Sequence, residues 1–210
     1  MPLDLEEQEQ VADLKAWWRQ NGTIVLVAVS AAAIAFSGWA IWKRYEAGQL
    51  AQASALYENA VRAAQGNDAK ALRDAGGALA ENFARTPYAA MAALVAAKYY
   101  FDRNDLKASQ AQLQWVIDRA QSEDLRELAR LRLGAVLLDD KSYDRALALA
   151  DAPHDAAYDA HYAALKGDIL VAKDQRAEAK AAYQRALEKA GKENSAFRES
   201  VRTRLEALGG

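Results

Sequence analysis

Apolar positions divide the chain into two regimes. From Thr23 to Trp42 it reads TIVLVAVSAAAIAFSGWAIW, twenty residues without a charge. At about 1.5 Å of rise per residue, a helix of that length crosses a hydrocarbon core of about 30 Å. The run predicts one membrane pass. Trp17 and Trp18 precede it while Trp39, Trp42 and Tyr45 close it, which suits amphipathic rings at both interfaces. Lys43 and Arg44 then end the apolar stretch. A cleaved signal peptide is the alternative. It fits poorly, because a 22-residue acidic tail precedes the run and bulky Trp-Lys-Arg, not small residues, follows it. An uncleaved anchor is expected.

Beyond Tyr45 the apolar positions recur at intervals of three and four, the period of helices with one buried face. The pattern is interrupted at Gly66-Asn67-Asp68, Arg85-Thr86-Pro87, Arg103-Asn104-Asp105, Gln121-Ser122-Glu123-Asp124, Asp139-Asp140-Lys141-Ser142, Ala152-Pro153-His154, Lys173-Asp174 and Gly191-Lys192. These are turn and cap residues, and they delimit roughly nine helices whose length suits stacked hairpins. The expected fold is all-α: an unstructured acidic tail over 1–22, a single transmembrane helix over 23–42, and a tetratricopeptide-like α-hairpin repeat (an α-solenoid) over 43–210.

Two segments of that domain align. LRLGAVLLDDKSYDRALALA starts at Leu131 and LKGDILVAKDQRAEAKAAYQRAL at Leu165; Gly134 to Gly167 and Ala146 to Ala179 are both steps of 33 residues. That is next to the tetratricopeptide period of about 34. A small residue on the first helix opposite a small one on the second lets axes approach to about 8–10 Å. Ala97 and Ser109 take the two small positions in a weaker upstream hairpin, 37 residues before the next. A still weaker unit covers 47–87, with Leu56, Tyr57, Val61, Leu72, Leu79 and Phe83 on its buried face. Ser195–Leu208, with Phe197, Val201, Leu205 and Leu208 at helical spacing, reads as a solubilising cap.

Most of these apolar stripes are core. The first helices of such an array also line its concave face, and in this register they present Met91, Leu94, Lys98 and Phe101, then Leu128, Leu131, Ala135 and Leu138, then His161, Ala164, Asp168 and Val171. An apolar groove with a few charges suits peptide segments of a partner.

Composition removes several classes of chemistry. Residues 1–42 hold Lys15 and Arg19 against Asp4, Glu6, Glu7, Glu9 and Asp13, leaving 25 basic and 24 acidic residues for 43–210. A net charge of +1 on that domain gives no reason to expect nucleic-acid binding. With no cysteine, disulfides, thiolate metal sites and cysteine nucleophiles are excluded. His154 and His161 lie two helical turns apart, about 10 Å, which is too far for one zinc with ligands about 2 Å from the metal. Gly191-Lys192-Glu193 lacks the rest of a phosphate loop, and Gly76-Gly77 is too short for a nucleotide fingerprint. Carboxylates fall on charged faces such as EDLRELARLR, read as solvated surface. No enzyme and no cofactor is expected. Lys15 and Arg19 on one flank balance Lys43 and Arg44 on the other, so the charge rule leaves orientation tied; the short tail favours the arrangement in which it stays inside.

The order of parts carries a resemblance: VADLKAWWRQNG, one anchor, ALYENAV, FARTPYAAMAAL, LKASQAQLQWVID and LKGDILVAKDQRAEAKAAYQRAL. In that combination the chain resembles the YfgM-like ancillary subunits of the SecYEG translocon, a bacterial family. The resemblance implies an inner-membrane protein with a cytoplasmic amino terminus and a periplasmic repeat domain. It also implies association with SecYEG and with a membrane-anchored periplasmic prolyl isomerase or chaperone, and contact with unfolded client chains. No catalytic residues are carried over. The competing reading is a regulatory membrane protein whose cytoplasmic tail binds a signalling factor.

Overall fold

The structure, a computed structural model, describes residues 5–191 and 193–209, with side chains from residue 9 onward. Asp4 and Lys192, and the side chains of Glu6 and Glu7, lie outside the described residues. The described elements are all helical: α1 (Leu5–Gln65), α2 (Ala69–Asn82), α3 (Pro87–Phe101), α4 (Leu106–Arg119), α5 (Glu123–Asp139), α6 (Tyr143–Ala150), α7 (Asp159–Ala172), α8 (Arg176–Lys189) and α9 (Ser195–Ala207), with a 3₁₀ turn at Ala156–Tyr158. The chain forms two compact units, Met1–Gln49 and Leu50–Gly210, and their boundary falls inside α1.

The first unit is one helix. Its stretch from Thr23 to Trp42 is long and apolar enough to cross a membrane, and Ile24, Leu26, Val29, Ile34, Phe36 and Ile41 are all exposed along it. So much uncovered apolar surface is rare on a water-soluble face. The amino tail departs from expectation, because it is helical from Leu5. Glu, Gln, Ala, Leu and Lys dominate LEEQEQVADLKA, and good helix formers that run straight into an apolar helix have no reason to stop.

In the second unit, the last part of α1 and α2 form the first hairpin, followed by α3/α4, α5/α6 and α7/α8. Every hairpin closes in the same way. Asn67, Asn104, Lys141 and Asp174 adopt left-handed backbone with φ of 60°, 59°, 59° and 59°. The residue after each donates its N–H back to a carbonyl five positions earlier: Asp68 to Ala63, Asp105 to Tyr100, Ser142 to Leu137 (2.9 Å each) and Gln175 to Leu170 (2.8 Å). This six-to-one bond satisfies a carbonyl that the helix end would leave orphaned. Asp68 and Asp105 then cap the next helix, accepting from Lys70 N (3.0 Å), Ala71 N (2.9 Å) and Ala108 N (3.1 Å). Between hairpins the signals differ. Pro87 opens α3, and Ser122 accepts from Leu125 N at the start of α5.

Hairpins stack through small residues. Ala97, Ser109, Ala146 and Ala179 are all buried, and so is Ala60, the matching position of the first hairpin. The expected pairing of small with small needs correction at the two glycines. A Cβ on Gly134 would lie 2.4 Å from Leu165 Cδ2, and one on Gly167 would lie 2.4 Å from the Tyr183 ring. Each glycine is a hole for a large knob. The knobs differ because the position equivalent to Tyr183 is Ala150 one repeat earlier, so Leu165 of the next hairpin fills the space instead.

Candidate functional site

The first helices of the hairpins share one face, and the open groove lies there. Tyr57 and Val61 of α1, Met91, Leu94 and Val95 of α3, and Leu125 and Leu128 of α5 form its apolar walls, around about 620 Å³. Each set recurs at three or four residues, so each helix turns one stripe toward the groove. Tyr57 and Tyr88 hold α1 against α3 with ring centroids 5.9 Å apart. One end is fixed by a polar clasp. The Arg103 guanidinium sits 3.5 Å from the centre of the Tyr99 ring and donates to Asn67 Oδ1, to which the Tyr99 hydroxyl also donates (3.1 Å). The left-handed turn of the first hairpin is thereby tied to the second.

A smaller slot of about 280 Å³ adjoins it between α3, α4 and α5. Ala97, Phe101, Ser109, Leu113, Ala135 and Val136 form its walls, and Lys98, Asp102 and Arg132 line both compartments. Lys98 is exposed and paired to Asp102 at 2.8 Å.

Of the residues expected on the concave face, the structure brings together Met91, Leu94, Lys98 and Leu128 in the groove, with Phe101 and Ala135 in the slot. Leu131 and Leu138 lie instead against the central apolar core. The third set does not extend the groove, because α9 folds onto α7. The His161 ring packs against Phe197 at 4.5 Å, Ala164 is buried with Val201, and Asp168 accepts from the Tyr183 hydroxyl (2.7 Å) and from Arg204 (2.8 Å). Val171 remains exposed. Sequence periodicity could not anticipate this, since nothing in α7 alone says which later helix covers it.

EDLRELARLR is a further correction. Read as solvated surface, it contains Glu127, which is 1% exposed. Arg130 of the same helix donates to it, and so does the Tyr162 hydroxyl from the next hairpin. Burial, then that bond, drives the Tyr162 hydroxyl well above the usual phenol range. Tyr183 is raised for the same two reasons, with Asp168 as its acceptor.

Away from the groove, a cleft of about 200 Å³ is lined by His154, Asp159, Tyr162, Lys166 and Arg185. The His154 ring stacks on Tyr162 at 4.0 Å, and its Nε2 lies 3.2 Å from Asp159. Lys189 in turn pairs with Asp159 at 2.9 Å and holds its carboxyl below the usual range. Both histidines are thus packed on aromatic rings. Among the described residues, no group of three His, Asp or Glu side chains is placed to hold a metal ion.

Stacked hairpins with an open groove on their first helices, carried behind one helix apolar enough to span a membrane, define a tetratricopeptide-like repeat protein. The family model described as tetratricopeptide repeat-like domain matches residues 15–210. Three proteins, each named ancillary SecYEG translocon subunit, are similar over most of their length. That of Haemophilus influenzae is 32% identical over 186 residues, 89% of this chain and 91% of that protein. That of Neisseria gonorrhoeae is 31% identical over 209 residues, 99% and 100%. That of Escherichia coli is 30% identical over 184 residues, 88% of each. The chain belongs to this tetratricopeptide repeat-like family of ancillary SecYEG translocon subunits.

Proposed function

We propose that the protein is a non-catalytic adaptor of the Sec translocon, anchored in the bacterial inner membrane by the helix through 23–42, with its tail cytoplasmic and its repeat unit periplasmic. The groove of α1, α3 and α5 receives extended segments of emerging clients or of a membrane-anchored periplasmic prolyl isomerase or chaperone. The observation that carries this reading is the open apolar groove itself. Its walls are ordered by hairpin packing before any partner arrives, which lowers the ordering cost of binding. Covalent linkage of groove and anchor keeps a weak binder at high local concentration wherever the anchor resides. The relatives' names support the translocon as that place.

The test is purification of the intact chain from bacterial membranes in mild detergent, with immunodetection of SecYEG. Recovery of SecYEG with the intact chain, and its absence from a control single-pass protein, is the expected result. Equal recovery with both would remove the translocon from the account.

A further inference from the structure

The two compartments of the groove meet at Arg132, and Arg132 is unengaged. It lines both the apolar groove and the adjoining slot. Its neighbours are all held: Lys98 by Asp102, Arg103 by Asn67 over the Tyr99 ring, and Arg126 and Arg130 by Glu123 and Glu127. Among the described residues Arg132 has neither an ion pair nor a hydrogen bond. The one carboxylate that shares its walls, Asp102, is committed to Lys98. A guanidinium at the edge of apolar walls offers a planar fork for a carboxylate.

The slot is walled mainly by Ala97, Phe101, Leu113, Ala135 and Val136, while the larger groove is apolar with a cation at its edge.

From this geometry we infer that the groove selects an extended polypeptide segment in which an acidic residue stands between apolar ones. Its carboxylate rests on Arg132, one apolar side chain enters between Met91, Leu94 and Leu128, and another enters the slot beside Phe101. This rests on the adaptor reading of the groove and specifies its ligand. Charge complementarity sets the choice of an acidic centre, since the one unengaged charge at the junction is positive.

Two fluorescein-labelled peptides test it, identical except for Asp or Asn between a leucine and a phenylalanine, titrated by anisotropy with the full chain in detergent micelles. The wild type is expected to bind the Asp peptide about fivefold more tightly, as a partly screened ion pair allows. That preference should shrink as salt is raised. Arg132→Gln, an exposed position, should bind both peptides alike at the wild-type affinity for the Asn peptide. Equal binding of the two by the wild type, or a preference that survives in Arg132→Gln, overturns acidic selection and leaves the groove standing. Binding of neither peptide, or binding unaffected by Met91→Glu, overturns the groove reading along with it.

Discussion

Tyr162 donates its hydroxyl to the carboxylate of Glu127, 35 residues earlier, so a buried hydrogen bond joins the first helices of two consecutive hairpins. Tyr158 makes a parallel bond to Asp124 at 2.8 Å, nearer solvent. Removing the buried donor leaves Glu127 with Arg130 alone. Tyr162→Phe is expected to lower stability by about 1–3 kcal/mol, because the lost partner strands a buried carboxylate. Tyr158→Phe should cost well under that. Thermal unfolding followed by helical circular dichroism, with both variants side by side, reads the difference.

Lys141 holds a left-handed turn that asparagine serves at Asn67 and Asn104. A side chain with a Cβ is strained there, and Lys141→Gly should raise stability by about 0.5–1 kcal/mol. Denaturant midpoints compared at unchanged slope measure it.

The glycines separate into two kinds. At Gly167 a methyl group would enter the Tyr183 ring, whereas at Gly76 and Gly77 it would meet nothing within 4 Å. Gly167→Ala should therefore destabilise by about 1–3 kcal/mol through overpacking. Gly77→Ala should stabilise by up to about 1 kcal/mol through helix propensity alone. Opposite signs in the same unfolding assay are the expected outcome.

Stability should fall at both ends of the pH range. Hydrogen bonds from Arg126 to Glu123, Lys173 to Asp144 and Lys189 to Asp159 hold these carboxyls below their usual values. What they contribute is present above about pH 4 and disappears as pH drops through the folded values. Tyr162 and Tyr183 are raised by burial and by their carboxylate partners. The folded protein then keeps protons that the unfolded chain releases, so stability declines as pH climbs past about 10. Tyrosinate absorbance should show these two rings ionising only together with loss of helix.

Much of this architecture is written in local signals. Asn67-Asp68, Asn104-Asp105, Lys141-Ser142 and Lys173-Asp174 mark the hairpin turns because each contains the left-handed residue, Asn67, Asn104, Lys141 or Asp174, that stands just ahead of the next helix start. The repeat register places Met91, Leu94 and Leu128 on one face because side-chain direction follows helical phase. What periodicity omits is the identity of the neighbour. His161 and Asp168 share the phase of Leu128 and Ala135, yet Phe197 and Arg204 of α9 cover them. Glu127 and Arg132 lie in one charged decapeptide, but Tyr162 encloses the first while the second stays at the groove. Only packing between hairpins separates those two fates.

In the adaptor we propose, the α1–α3–α5 groove receives a chain emerging from the translocon. A photo-crosslinking p-benzoylphenylalanine placed at Leu128, and separately at exposed Gly77 on α2, tests it in membranes where a radiolabelled secretory precursor is arrested in SecYEG. The account predicts an adduct with the precursor from Leu128 and none from Gly77. No adduct from Leu128, or equal adducts from both positions, would contradict it.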